Sequence, residues 1–487
     1  MQAEYCFGRY RWRPLPFHNP LDLWDRLACR LPGDGFERVR CELANGLENM
    51  ELAFAAWRLK KLPPLGELHG VDPVFFERLS LEGHNLHPGA KTRLSFSPED
   101  SQNYAAELGG EFDLGFVGVR RDFFEQSGEP LERWFKVDLP EGYRPIPVHP
   151  FQRRRVLREL YDEEWEAGIL VDSPTRIPVR ACTSLRTVAP LDRGLPALKL
   201  SVDIQTTSTV RSMSPQTVIN GPLFSKLLSE SAHPPGFVTL SEIGGARLQV
   251  KGAHRGRNLC ALMRTRLRPE KDEMAVVASS FTSPYPTPKG AASSLLGQIV
   301  ALGDDGPRAF WQDYVRLLLE GHLELLQRVG LGLEAHLQNC VVGFVRGRPR
   351  RLYVRDWGGL RAFEPRLLKH YPDLRLAPDS MTVSGDLETV LKKFSYCLFQ
   401  NHLAEVARIL AEEYGLSEKW MWARVRSQLE ASLDEGSLER AFLTRPTLPH
   451  KALLKMRLEG SGSDLYEELP NPMAVARRAA RPTNPSP

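Results

Sequence analysis

The chain has 487 residues, 42% hydrophobic and 25% charged, which is enough for a buried core and for about three domains. Its 64 Lys and Arg against 60 Asp and Glu leave a net charge of only +4, spread along the chain, so no nucleic-acid partner is expected. No apolar run is long enough for a membrane span and the N-terminus lacks a signal-peptide core. The seven cysteines are scattered and odd in number, so a disulfide framework and a zinc site are both disfavoured, and a reduced, cytoplasmic protein with no membrane contact is expected.

In chain order, apolar spacing predicts a helix from Phe36 to Leu62, ending before Pro63 and Pro64. The Gly and Pro content of His84-Asn-Leu-His-Pro-Gly-Ala-Lys-Thr-Arg93 predicts a loop. Two histidines, Lys91 and Arg93 make that loop cationic and suited to a triphosphate or tricarboxylate. A metal at His84 and His87 is disfavoured, because no Cys or carboxylate lies at ligand spacing. A second short element ends in the Pro-rich stretch Tyr143 to Pro150, where His149 reads as a turn histidine with a packing role. The acidic run Asp162, Glu163, Glu164 and Glu166 reads as a solvated helix face.

From about Ile169 the residues become β-branched. Ile177 to Val188, Ala197 to Ile204, Phe237 to Leu240 and Met274 to Phe281 are predicted strands of an antiparallel sheet. A Pro-rich connection then leads to a domain boundary within 290–307. An amphipathic helix is predicted from Arg308 to Val329, stopped by Gly330. Cys340 to Val345 and Arg351 to Trp357, joined by the basic turn at Arg346 to Pro349, predict a β-hairpin. Helices follow at about Leu387 to Tyr414 and Glu418 to Leu433, and the tail from Ala474 reads as disordered.

Two groups of residues point to chemistry. Glu334-Ala-His-Leu-Gln-Asn339 precedes one hairpin strand, and Asp356, 17 residues after Asn339, ends the other. The hairpin would return them to the same end. Glu334, Asn339 and Asp356 are the hard oxygen donors that Mg²⁺ prefers when it also holds ATP phosphates, and His336 could donate to a phosphate or a developing oxyanion. An Asn and a strand-end Asp also hold the metal ions of kinase-like folds. The same spacing would arise if Asn339 capped a turn and Asp356 paired with Arg355 or Arg361. The second group is Ser184-Leu-Arg-Thr187, Lys199 and Thr206-Thr-Ser-Thr-Val-Arg211. Strand alternation would put Ser184 and Arg186 on one face. Lys199 lies mid-strand among Leu198, Leu200 and Val202, where an unpaired ammonium is costly, so it is expected to point at phosphate or carboxylate. Arg211 can grip a carboxylate bidentately. A surface-facing basic strand is the alternative. There is no Walker A sequence, GxSxG elbow or convincing Cys/His pair.

The ordered set resembles the IucA/IucC family, the aerobactin-type synthetases independent of nonribosomal peptide synthetases. The matching segments are His84 to Arg93, Val148-His-Pro-Phe-Gln152, Ser184-Leu-Arg-Thr187, Lys199-Leu-Ser, Asn220-Gly-Pro222, Glu334 to Asn339, Arg355-Asp356 and Lys451 to Leu458, in family order over about 80–475. The resemblance implies an α+β fold shaped as a cupped hand: a mainly helical thumb (1–165), fingers formed by an antiparallel sheet (166–300), and a kinase-like helical and β palm (301–475), before a disordered tail (476–487). It implies that ATP lies between fingers and palm and that the chain forms a homodimer. Carried over by motif, Ser184, Arg186, Lys199 and Arg211 would contact phosphates or the substrate carboxylate, with Thr187 and Thr207 beside them. His336, Gln338 and Asn339 would line the site, Glu334 and Asp356 would lie near Mg²⁺, and His87 and Lys91 would close the nucleotide side. Two departures stand out. The chain is shorter ahead of the His-Pro loop than typical members, which implies a reduced thumb, and the first motif begins His84-Asn where the family has His-Pro.

The implied reaction joins a carboxylate, citrate or a citryl derivative, to an amine, hydroxylamine or alcohol through an acyl-adenylate, releasing pyrophosphate and AMP. Lys199, Arg186, Arg211 and His336 are its expected catalytic residues. A kinase-like phosphotransferase, releasing ADP, and a non-catalytic carrier of citrate or a ferric chelate are the rival readings.

Overall fold

The computed structural model describes residues 1–13, 19–28, 30–31, 33–206, 209–286, 292–378 and 380–475. Thr207 and the tail 476–487 lie outside the described residues. No described helix is long and apolar enough to cross a membrane.

Helix α1 (Phe36–Leu59) buries Val39, Glu42, Gly46, Asn49 and Ala53, a stripe spaced by three and four residues. This stripe fixes the His84–Arg93 loop. Thr92 Oγ1 donates to the Glu42 carbonyl at 2.9 Å, and the Arg93 N–H donates to Asn45 Oδ1 at 2.7 Å.

The middle of the chain forms an eight-stranded sheet from β1 (Glu111–Arg120), β2 (Phe124–Gly128), β3 (Tyr143–Val148), β4 (Leu170–Ala181), β5 (Thr187–Pro190), β6 (Ala197–Leu200), β8 (Glu242–Leu248) and β9 (Cys260–Arg264). Its order is β2–β8–β9–β6–β5–β4–β1–β3, and every pairing is antiparallel. The expectation that the sheet is confined to residues 166–300 is therefore corrected, because β1, β2 and β3 come from the segment before it. The run Leu114 to Val119 is buried without interruption, and a strand covered on both faces shows no alternation to reveal it.

Two expected fingers strands pair elsewhere. The strands β7 (Phe237–Thr239) and β10 (Met274–Val277) flank the predicted hairpin, β11 (Cys340–Val345) and β12 (Arg348–Val354), in the order β7–β12–β11–β10. The β7–β12 pair is parallel, which requires a long crossover. The hairpin turn is Arg346-Gly347, with φ of 49° and 70°, the left-handed pair that a two-residue turn needs to match strand twist.

Helix α2 (Pro215–Glu230) lies against β8 and β9, and helix α3 (Gly306–Glu324) packs Trp311, Tyr314 and Leu318 into the core behind the hairpin. The chain leaves the π-helical turn that follows α3 through Gly330 in the left-handed conformation, as predicted. Helix α4 (Leu387–Ser395) runs through a π-helical stretch, Tyr396–Leu403, into α5 (Ala404–Tyr414). Helix α6 (Glu418–Ser432) follows. The fold is thus mixed helix and sheet, organised round one antiparallel sheet and a smaller hairpin sheet.

Candidate functional site

The base of the hairpin faces the exit of β6. Cys340 pairs with Val354 and the Arg355 N–H donates to the Asn339 carbonyl at 3.1 Å, so the Glu334–Asn339 segment and Asp356 meet at one end, as their spacing predicts. Opposite, Lys199 sits on β6 as the cross-strand neighbour of Thr187, and its Nζ lies 2.6 Å from Asp356 Oδ1. Between them is a cavity of about 280 Å³ lined by Ser184, Arg186, Thr187, Lys199, Arg211, Arg257, Arg264, Glu334, His336, Gln338, Asn339, Arg355 and Asp356, among others. Six of these are cationic side chains, against the carboxylates of Glu334 and Asp356. An adjoining cavity of about 110 Å³ opens towards the His84–Arg93 loop, and Ser184, Arg211, His336 and Gln338 line both.

Ser184 and Arg186 do not alternate along a strand. They lie in the turn between β4 and β5, which the Thr187 N–H closes onto the Ser184 carbonyl at 2.8 Å. Both still reach the cavity. The Arg186 guanidinium donates to the Ser212 carbonyl at 2.9 Å, and Arg211 Nε donates to Thr206 Oγ1, leaving both charges at the wall. Burial lowers the Arg211 guanidinium to about 10, and Arg186 beside it adds to the effect.

Two carboxylates face this cationic wall. Burial alone would raise the Asp356 carboxyl, but Lys199 and Arg186 hold it well below its ordinary range. Asp356 has φ 74° and ψ 96°, a rare conformation for a residue with a Cβ that costs about 1–3 kcal/mol, and its Oδ1 accepts from the Gly358 N–H at 3.2 Å. For Glu334, burial would raise the carboxyl, but Lys393, 3.1 Å away, outweighs it and brings the carboxyl down to about 2. Its carboxylate occupies the space that a Cβ on Gly359 would fill. Gly359→Ala is therefore expected to dislodge Glu334 and lower turnover by roughly 10- to 100-fold, since misplacing a site group by about 1 Å costs on that order. Steady-state rates beside a melting curve of unchanged midpoint check this.

Among the described residues no three His, Cys, Asp or Glu side chains form a metal cluster by themselves. The donor set nevertheless suits Mg²⁺, which needs only one or two carboxylates when substrate phosphates and water complete its shell. Glu334 and Asp356 would supply those carboxylates. Asn339 adds an amide oxygen, since its Nδ2 is engaged with the Glu334 carbonyl at 3.0 Å.

The histidines share one local device. Nδ1 of His84, His87 and His336 accepts the backbone N–H two residues on, from Leu86 at 3.2 Å, Gly89 at 3.0 Å and Gln338 at 3.2 Å. An imidazole accepting through Nδ1 carries its proton on Nε2 when neutral. Burial keeps all three neutral, holding His84 at about 3, His87 at about 4 and His336 below its usual value. They are N–H donors rather than cations.

The cationic loop needs the same correction. Lys91 is buried, 2.8 Å from Glu107 Oε1 and 2.6 Å from the Ser80 carbonyl, and Arg93 joins the same carboxylate. Lys91 thus touches the smaller cavity with its charge already paired. His84, not His87, lines that cavity.

The sequence reading missed several residues here. Arg355 is bound to buried Glu77 and donates to the Gln338 carbonyl at 2.9 Å. In the π-helical stretch, Asn401 Oδ1 accepts the Leu337 N–H at 3.1 Å, and His402 bonds the Ala335 carbonyl at 3.1 Å. A π-helical turn at a functional site is a recurring pattern, and here it clamps the His336 segment from behind. Arg264 was missed along with its strand. The composition of β9, Cys-Ala-Leu-Met-Arg, is unbranched and reads no more like a strand than like a helix.

Residues 72–283 match the IucA / IucC family, and residues 308–465 match the family described as ferric iron reductase FhuF-like transporter. Similar proteins include staphyloferrin A synthase of Staphylococcus aureus, 29% identical over 82% of this chain and 73% of the relative. D-ornithine--citrate ligase of the same organism is 24% identical over 94% and 80%. The fold is shared with ATP-bound aerobactin synthetase IucA of Klebsiella pneumoniae, with TM-score 0.78 and 22% identity over 93% of this chain and 85% of that one. It is shared equally with the petrobactin biosynthesis protein AsbB of Bacillus anthracis, with TM-score 0.78 and 20% identity over 92% and 81%. These matches agree with the ordered motifs. The chain thus carries a match to the IucA / IucC family over residues 72–283 and is similar over most of its length to proteins named as siderophore synthetases independent of nonribosomal peptide synthetases.

Proposed function

We propose that the protein is an ATP-dependent carboxylate–amine or carboxylate–alcohol ligase of siderophore synthesis that activates citrate or a citryl derivative. Relatives named as citrate ligases make citrate the first acid to test. The observation that carries this reading is the pair of joined cavities. One is rich in cations and holds two carboxylates, the other is lined by the neutral donors His84 and His336 and by Lys91 and Arg93, whose charges Glu107 pairs, and they meet at Ser184, Arg211, His336 and Gln338. Such a site can hold two anions side by side while keeping their reacting ends in contact.

In the first step a carboxylate oxygen of the acid attacks the α-phosphorus of ATP and pyrophosphate leaves. Lys199, Arg186 and Arg211 offset the repulsion between the two anions, and fixed cations aimed at developing charge are often the largest catalytic contribution. His336 donates from Nε2 to a phosphate or carbonyl oxygen. Ser184, Thr187, Gln338 and Asn339 orient the phosphates, with His84 replacing His87 on the nucleotide side. In the second step the amine or alcohol attacks the activated carbonyl and AMP leaves. Mg²⁺, held by Glu334, Asp356 and the Asn339 oxygen, would neutralise phosphate charge. The arrangement is read as a cupped hand of thumb, fingers and palm with the site between the last two, working as a homodimer.

The test is release of AMP and pyrophosphate from ATP, with hydroxylamine trapping the activated acid, run with citrate, 2-oxoglutarate and no acid. Citrate-dependent AMP together with a hydroxamate is the expected result. ADP in its place would establish a phosphotransferase, and citrate binding without nucleotide turnover would establish a carrier.

A further inference from the structure

Arg264 ends β9 on the face of the sheet that carries Lys199. Leu262 is the cross-strand neighbour of Lys199, and Arg264 lies two residues further along the same face, about 7 Å away at the Cα level. Its side chain is 7% exposed and lines the larger cavity. Among the described residues no hydrogen bond or ion pair reaches its guanidinium. The other buried cations here have partners: Lys199 has Asp356, Arg355 has Glu77, and Arg186 has the Ser212 carbonyl. Glu242, directly opposite Arg264 on β8, would be the natural counter-ion, yet both its carboxylate oxygens are buried without a bond.

A buried guanidinium facing a cavity without a carboxylate of its own is costly unless an anion arrives with the ligand. Burial, and then Arg355 beside it, lower the Arg264 guanidinium by more than Asp356 and Glu77, neither of which bonds it, raise it. The planar fork is suited to a bidentate grip on a carboxylate, and it sits along the sheet from the lysine assigned to the reacting end.

We propose that Arg264 binds a second, unreacting carboxylate of the acid substrate and so restricts the site to di- and tricarboxylic acids. The assignment rests on the proposed function, with the acid sharing the larger cavity with the ATP phosphates. It sets the orientation of the acid, with one carboxylate at Arg264 and another at Lys199 and Arg211. A monocarboxylic acid satisfies only one of these positions.

The test is calorimetric binding of citrate and of 3-hydroxybutyrate to the full chain with a non-hydrolysable ATP analogue present, for wild type, Arg264→Gln and Arg264→Lys. Losing a bidentate charge-assisted pair is expected to weaken citrate binding roughly 10- to 100-fold in Arg264→Gln, with binding of the monocarboxylate and the ATP analogue unchanged. Arg264→Lys keeps the charge without the fork, so it recovers part of the citrate affinity and covers a Gln variant that fails to fold. Equal weakening of both acids, no change in either, or no citrate binding by wild type would overturn the proposal. If wild type binds citrate and Arg264→Gln loses it while no AMP is ever formed, the ligase reading falls and the role of Arg264 stands.

Discussion

Lys199→Ala is expected to lower acid-dependent AMP release by roughly 10²- to 10³-fold, the usual loss when a fixed donor to transition-state charge is removed. The lysine side chain is 4% exposed and forms its ion pair with Asp356, whose side chain is 24% exposed. Removing the ammonium takes away a cation proposed to face the reacting carboxylate and also leaves Asp356 without its ion-pair partner. Because Asp356 borders the cavity, water can reach the orphaned carboxylate, so the protein should still fold and the loss should appear in rate. Lys199→Arg is not a conservative rescue, since a planar fork does not occupy the space of a compact ammonium 2.6 Å from Oδ1. Single-turnover formation of the hydroxamate, with folding checked by circular dichroism, is the measurement. Near-normal turnover in folded protein would remove the cavity from the chemistry.

How far the sequence foretold this site varied with the kind of residue. Lys199 was legible because an ammonium amid Leu198, Leu200 and Val202 demands a partner, and the structure supplies Asp356. The convergence of Glu334, Asn339 and Asp356 was legible because a hairpin returns its ends together, and the Arg346-Gly347 turn marks that hairpin locally. Helix α3 followed from apolar periodicity. Burial on both faces hid β1, and the Gly-Gly and unbranched residues of β8 and β9 hid the strands that carry Glu242 and Arg264. Pairing was invisible as well: β7 and β10 were recognisable as strands, but nothing local shows that they join the hairpin. The charge state of the His84–Arg93 loop depended on Glu107, a partner 14 residues beyond Arg93 that no spacing rule indicates. Residues that act through one another, Glu77 on Arg355 and Asn401 on Leu337, were missed for the same reason.

Glu77→Ala is expected to be the most destabilising single change at this site, by about 3–5 kcal/mol, the usual cost of leaving one member of a buried ion pair unpaired. The side chains of Glu77 and Arg355 are 3% and 10% exposed. Glu77 Oε2 also accepts the Thr183 N–H at 2.9 Å, so this one carboxylate ties the turn before Ser184 to the end of β12. Arg355 in turn holds the Gln338 carbonyl, so turnover should fall with stability. The dependence on pH follows from the sign of the shift. Burial would raise the Glu77 carboxyl, but Arg355 and the Thr183 bonds bring it below its ordinary range. A depressed folded value means the pair stabilises fully above the unfolded carboxyl value of about 4.3 and progressively less as pH falls below it. Glu107, held at about 2 by Arg93 and Lys91 against burial, loses its contribution over the same acid range but is common to both proteins. The stability gap between wild type and Glu77→Ala, measured by urea unfolding, should therefore be constant from pH 7 to about 5 and narrow below about 4.3. A gap that stays constant down to pH 3 would show that the carboxylate charge is not what the Arg355 contact contributes.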